Sequence, residues 1–198
     1  MLNKLIATQF RKPSGLLGLY SSYRMIRGNR NKYEKVIRVL DIQPQDRLFE
    51  IGYGPGDGIN MIAQTCPLCT IHGIDFSELM YKKAAKSNRE YLDKRQVVLQ
   101  HGDFIKTPIV TGEYDKVFCV NVIYFWDELQ SPFKKVLSLL KPGGAFYIYM
   151  ATKETLKNAH QDVFNKYSIE QVVAALQRAG FGEVEHHLDR GYIIKANK

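Results

Sequence analysis

The sequence has 198 residues, 45% hydrophobic and 24% charged, which suits one domain with a full hydrophobic core and leaves no obvious room for two. No apolar run approaches the ~20 residues of a membrane span. Leu2, Leu5, Ile6 and Phe10 lie at helical spacing without the continuous apolar core and cleavage site of a signal peptide, so a cytoplasmic protein is expected. The formal net charge of +8 resides in residues 1–40, where nine Lys/Arg accompany a single acid, Glu34, and the remainder sums to zero. An anionic partner would meet the chain there: a membrane surface, a nucleic acid or an acidic substrate. A solvated helix face is the competing reading.

Residues 1–30 contain two turn-rich stretches, Pro13-Ser14-Gly15 and Arg27-Gly28-Asn29, around Leu16, Leu17 and Leu19. They predict a basic arm of one or two short helices, appended to a core of residues 31–198 within a single 1–198 domain. Tyr33, Val36, Ile37 and Leu40 follow i, i+3, i+4, i+7 spacing and predict a helix over 31–41, ending before Gln43-Pro44. Arg47–Ile51 reads as a buried strand with an acid near its end. It runs into the glycine turn Gly52-Tyr53-Gly54-Pro55-Gly56-Asp57-Gly58 and then a helix to about Gln64.

Three cysteines are an odd count and fit a reducing compartment. Cys66-Pro67-Leu68-Cys69 falls where a helix ends, not at a helix start where the dipole would favour a thiolate, and His72 has no fourth ligand nearby. The pair reads as a helix-end turn, and no metal is expected. Thr70–Ile74 is the second strand, and Ser77 caps a helix that turns Leu79, Met80, Ala84 and Ala85 inward. Strands follow at Gln96–Gln100 and Tyr114–Asn121, the second with an apolar run typical of burial on both faces.

Ser131-Pro132 supplies a cap and a first-turn proline, and Lys141-Pro142-Gly143-Gly144 terminates that helix ahead of the strand Ala145–Met150. Residues 151–167 are a polar, irregular insertion. Ser168-Ile169-Glu170-Gln171 is a capping-box start for a helix ending at Gly180. Phe181–Leu188 and Tyr192–Ala196 are separated by Asp189-Arg190-Gly191, too short for a helical crossover, so they pair as an antiparallel hairpin at one edge. The fold class is α/β, a Rossmann-like seven-stranded sheet, mostly parallel with an antiparallel last strand and helices on both faces.

The dinucleotide fingerprint G-x-G-x-x-G fails in both registers, because its third glycine would be Asp57 or Ile59. Pro55 removes a backbone donor from the turn, while Glu50 and Asp57 add negative charge. Such a turn suits a ligand carrying an ammonium and a sulfonium better than a diphosphate, and S-adenosyl-L-methionine is that ligand. Asp57 alone reads as a helix N-cap. Asp75, about twenty residues past the turn, is placed to accept from ribose hydroxyls. Asp103 is placed to accept from an adenine amine, with Phe76 and Phe104 on the ring; an Asx-turn is its alternative.

The ordered segments Glu50–Gly56, Gly73–Ser77, Gly102–Phe104, Asn121–Trp126 and Leu140–Gly144 resemble the motifs of class I S-adenosylmethionine-dependent methyltransferases. The nearest match is the small-molecule, type 11-like branch, and the resemblance covers residues 31–198. It implies that Glu50 and the Gly52 backbone hold the methionyl ammonium side, Asp75 the ribose and Asp103 the adenine. Asn121 would lie beside the methionyl portion, facing the acceptor. Tyr53, Gly54, Gly56, Phe76, Met80 and Phe104 complete the expected cofactor-binding set. Tyr124 and Trp126 are the candidate aromatic faces beside the sulfonium and acceptor, with packing over the sheet edge as the alternative. Tyr20 and Tyr23 are candidates for a lid, and His101 and His160 for a base.

The resemblance implies methyl transfer to a small-molecule acceptor. Two other readings stand beside it. One is a nucleic-acid methyltransferase using the basic arm, although the two prolines of the Asn/Asp-Pro-Pro-aromatic segment are absent from Asn121-Val122-Ile123-Tyr124. The other is a non-catalytic cofactor-binding protein held to a membrane or partner through the arm.

Overall fold

The computed structural model describes the backbone of residues 15–157 and 163–198, with side chains from residue 28 onward within those spans. Its elements are α1 (Gly15–Leu40), β1 (Arg47–Ile51), α2 (Asp57–Thr65), β2 (Thr70–Asp75), α3 (Glu78–Ser87), α4 (Arg89–Asp93), β3 (Val97–His101) and β4 (Tyr114–Val120). After a 3-10 turn at Ile123–Phe125 come α5 (Gln130–Leu139), β5 (Leu140–Met150), α6 (Ile169–Ala179), β6 (Val184–Leu188) and β7 (Tyr192–Asn197). Among the described residues no helix is long and apolar enough to cross a membrane.

The strands form one sheet in the order β3-β2-β1-β4-β5-β7-β6, with β7 antiparallel to both its neighbours. This is the expected Rossmann-like sheet, with the terminal hairpin at its edge. From β1 the chain winds outward through β2 and β3, then crosses back to place β4 on the other side of β1. That reversal leaves a crevice beyond the carboxyl ends of β1 and β4, where open α/β sheets bind ligands.

The central strands are buried on both faces, and alternation assigns their side chains to two cores. Phe49, Ile51, Val117, Cys119, Phe146 and Ile148 pack with Phe133, Val136, Val172 and Leu176 of α5 and α6. Leu48, Phe118, Tyr147 and Tyr149 pack with Tyr33, Val36 and Leu40 of α1, Ile59 and Ile62 of α2, and Ala84 of α3. At ~1.5–3 kcal/mol per buried large side chain, these two layers dominate the favourable side of folding.

Several local expectations are corrected. The break at Arg27-Gly28-Asn29 does not occur, and α1 runs unbroken for 26 residues across the expected boundary at residue 30. A glycine within a helix costs only about 1 kcal/mol, which the burial of Tyr33, Val36 and Leu40 outweighs. The first turn of α5 is satisfied by the Glu128 carboxylate, which accepts from the Gln130 and Ser131 amides, so Ser131 is a helical residue and not the cap. β5 begins at Leu140, ahead of Ala145. Tyr114 pairs with Leu140 and Lys116 with Ala145, so residues 141–144 bulge out of register, with Gly143 at φ +77°.

The turn at Cys66–Cys69 lies at the end of α2 as expected, but the two cysteines are joined in a disulfide, their Cα atoms 5.5 Å apart, which departs from the reading of reduced thiols. Ser77 caps α3, accepting from the Met80 amide, and the Ser168–Gln171 capping box opens α6, which closes on Gly180 at φ +106°.

Candidate active site

The cleft at the switch point has a volume of about 620 Å³. Its floor is the glycine turn after β1. Gly52 adopts φ +72° and donates its N–H to the Ile74 carbonyl at 2.8 Å. A Cβ there would meet Val122 Cγ2 at 2.6 Å, so both conformation and space require glycine. Gly54, at φ +54°, donates to Asp75 Oδ2 at 2.8 Å, and Asp75 Oδ1 accepts from the Ser77 amide at 2.9 Å. The carboxylate at the end of β2 therefore fixes both the glycine turn and the start of α3. Burial pushes its pKa up to about 6 against these two stabilising hydrogen bonds.

Gly52, Gly54, Asp75, Phe76, Met80, Asp103, Phe104, Asn121, Tyr124 and Trp126 of the expected set all line the cleft. Asp103 also forms the Asx-turn weighed for it, accepting from the Ile105 amide at 2.8 Å. Glu50, Tyr53 and Gly56 do not line it. The Tyr53 ring is buried beneath Gly73, and its hydroxyl donates to the Gln100 carbonyl at 2.9 Å. Gly56, at φ +91°, is the N-cap of α2 and lies so close to α3 that a Cβ would meet Ala84 Cβ at 2.8 Å. The cap is thus Gly56, and Asp57, expected as the N-cap, instead begins the helix and lines the cleft.

Glu50 lies fully buried beneath the cleft. Its Oε1 accepts from the Tyr33 hydroxyl at 2.7 Å, while Oε2 has no partner among the described residues. Burial pushes its pKa up to about 8. The bond from Tyr33 works against that shift, and the Asp75 and Asp57 charges add to it. A buried carboxyl with one orphaned oxygen and an opposing set of acids is suited to a cationic group above it.

The two aromatic candidates separate. Trp126 stacks on Phe104, ring centroids 6.1 Å apart, at the β3 end of the cleft. Tyr124 sits with Phe125 and Phe164 at the other end. Its hydroxyl donates to Asn121 Oδ1 at 3.1 Å and accepts from the buried Ala151 amide. Asn121 itself is held at φ +59°, with its N–H on the Tyr149 carbonyl at 2.9 Å. His101 turns its ring to the Phe76 carbonyl at 3.2 Å. His160, and the side chains of Tyr20 and Tyr23, lie outside the described residues.

Sequence reasoning missed the contribution of α1. Gly28, Asn29, Lys32 and Tyr33 all line the cleft, and Asn29 Oδ1 accepts from Asn121 Nδ2 at 3.0 Å. Tyr33 lies on the apolar face that periodicity identifies, and its spacing reads as core. Val122 and Phe125, within the Asn121–Trp126 motif but not singled out there, also line the cleft, as do Leu156 and Phe164, which no motif marks.

A family model described as a methyltransferase domain matches residues 48–144, the segment that carries the glycine turn, Asp75, Asp103 and Asn121. The uncharacterized methyltransferase YdaC of Bacillus subtilis (strain 168) is 29% identical over 167 residues, covering 84% of this chain and 88% of that protein. The chain carries a methyltransferase domain and is an S-adenosylmethionine-dependent methyltransferase. A second relative, the sterol 24-C-methyltransferase ERG6 of Saccharomyces cerevisiae, is 27% identical over 108 residues. That match covers 54% of this chain and 28% of the yeast enzyme. Among solved structures, the geranyl diphosphate C-methyltransferase from Streptomyces coelicolor A3(2) superposes with a TM-score of 0.71 at 16% identity. The superposition covers 86% of this chain and 81% of that one, a likeness of fold.

The residues of this methyltransferase fit its cofactor. S-adenosylmethionine supplies an electrophilic methyl on a cationic sulfur. The buried Glu50 with its orphaned oxygen, the acids Asp57 and Asp75, and the open backbone of Gly52 and Gly54 offer negative charge and close approach where a methionyl cation would lie.

Proposed function

We propose that this methyltransferase moves a methyl group onto a small acceptor with an apolar body, by in-line displacement. The observation that supports this is the continuity of the cleft. It runs from Asp75, Asp103 and the Phe104–Trp126 stack, past Asn121, to the ring cluster of Tyr124, Phe125 and Phe164. The first end suits ribose and adenine and the second suits an apolar acceptor, with Asn121 between them. The Tyr124 face adds cation stabilisation near the transferring methyl. Orientation in such a cleft can supply about 7–11 kcal/mol of barrier lowering. Asn29, Lys32 and Tyr33 of α1 complete its wall.

The relatives named for sterols and geranyl diphosphate are consistent with an apolar small-molecule acceptor. A nucleic-acid acceptor fits less well. Among the described residues the cleft presents five carboxylates, those of Asp57, Asp75, Asp103, Asp127 and Glu128, and one cation, Lys32. That balance opposes a phosphate backbone. The test is incubation of the protein with methyl-labelled cofactor and fractionated extract. Label in a small apolar molecule supports the reading, and label in RNA overturns it.

A further inference from the structure

Lys32 is set apart from the other charged groups of α1. Arg30 pairs with Glu34 at 3.5 Å and Lys35 with Asp189 at 2.7 Å, and neither cation lines the cleft, although Arg30 acts on Asp57 at its edge. Among the described residues Lys32 is the one cation that lines the cleft, and no carboxylate of theirs lies within ion-pair distance of it. Its ammonium donates to Asn29 Oδ1 at 3.0 Å and lies 5.9 Å from the centre of the Tyr149 ring. The same Asn29 oxygen accepts from Asn121 Nδ2 at 3.0 Å, so the ammonium is two hydrogen bonds from Asn121. A lysine ammonium carries three donors, and the structure gives it one hydrogen-bond partner.

Burial lowers the Lys32 pKa, with no offsetting contribution from a nearby acid. A partly desolvated cation without a counter-ion is unfavourable unless a ligand brings the opposite charge. The cleft's carboxylates lie at the start of α2, the end of β2 and on the turns after β3 and the 3-10 segment, so an anion entering is repelled there and attracted to Lys32.

We propose that Lys32 is the seat of an oxyanion, a carboxylate or phosphate, borne by a small molecule bound in the cleft beside Asn121. Two molecules can bring that group: the cofactor, through its methionyl carboxylate, or a methyl acceptor with an acidic group on its apolar body. The inference rests on the reading of the cleft as a methyl-transfer site. It is tested by equilibrium binding, so that its failure is separable from failure of that reading.

The experiment titrates wild type, Lys32→Met and Lys32→Arg with S-adenosylhomocysteine, with 5′-methylthioadenosine, which lacks the amino-acid end, and with decanoate against decanol. Decanoate and decanol are run on both the free and the cofactor-product-bound protein. Thermal melts establish that the variants are folded. If the cofactor is the source, Lys32→Met weakens S-adenosylhomocysteine at least tenfold and leaves 5′-methylthioadenosine within twofold. If the acceptor is the source, Lys32→Met weakens decanoate at least tenfold while decanol and S-adenosylhomocysteine are unchanged. In either case Lys32→Arg retains most of the affinity. If Lys32→Met changes neither S-adenosylhomocysteine nor decanoate by more than twofold, the proposal is overturned. Wild type that fails to bind S-adenosylhomocysteine overturns the methyl-transfer reading, and the decanoate titration on free protein still decides the role of Lys32.

Discussion

The Tyr33 hydroxyl donates to Glu50 Oε1 at 2.7 Å, tying the helix that completes the cleft's wall to the strand beneath its floor. Both groups are buried, and the second Glu50 oxygen has no partner among the described residues. This bond links the N-terminal helix to the cofactor site more directly than any contact that motifs alone suggest.

The Glu50 carboxyl titrates near pH 8 in the folded protein and near 4.5 when unperturbed. Between those values the folded state holds a proton that the unfolded chain has released. Stability of the free protein therefore falls as pH rises from about 4.5 to 8, the sign for a raised carboxyl pKa. Asp75, raised to about 6, acts in the same direction over a narrower window. Glu50→Gln removes the larger part, and its urea-unfolding free energy should be flatter than wild type between pH 6 and 8. An equal slope in both proteins would show that Glu50 is not the group titrating.

A cation placed above Glu50 lowers its pKa, so cofactor binding should release a proton. Affinity for S-adenosylmethionine is expected to rise as pH increases from 6 toward 8. Calorimetry in two buffers of different ionisation enthalpy measures that release directly. Wild type should give a buffer-dependent heat near pH 7, and Glu50→Gln a smaller one.

Tyr33→Phe leaves both Glu50 oxygens buried without a partner. The loss should be about 1–3 kcal/mol, the penalty for an orphaned buried polar group. The Glu50 pKa should also rise further, because the lost bond is the one holding it down. Chemical denaturation at pH 7 reads the first effect, and the pH dependence of cofactor binding reads the second.

Much of this architecture is legible in the sequence because local and tertiary signals agree. Ser168 and Gln171 form the capping box their spacing predicts, and the three residues between the last strands enforce the hairpin. The misreadings occur where a distant contact overrides a local signal. Gly28 looks like a break, but the buried face of α1 carries the helix through it. Ser131-Pro132 looks like a cap, but Glu128 reaches the free amides first. Tyr33 and Lys32 carry no motif, because their place in the cleft depends on how α1 crosses the ends of β4 and β5.

Gly52→Ala should be among the most damaging single-methyl changes. The position combines φ +72° with a 2.6 Å approach to the Val122 side chain. A left-handed backbone costs an L-residue ~1–2 kcal/mol before any clash. Thermal unfolding and cofactor affinity should both suffer, whereas alanine at Gly28, where nothing lies within 4 Å of an added Cβ, should stabilise the helix by roughly 1 kcal/mol.

Titration of wild type and Asp75→Ala with S-adenosylmethionine tests the cofactor site most directly. Asp75 holds Gly54 and Ser77 in place and faces the cleft where a ribose would lie. Loss of charge-assisted hydrogen bonds worth ~1.5–3 kcal/mol corresponds to a weakening of about tenfold or more. Wild type should bind saturably, and a folded Asp75→Ala protein should show at least that loss. Equal affinity in the two proteins would contradict that role for Asp75.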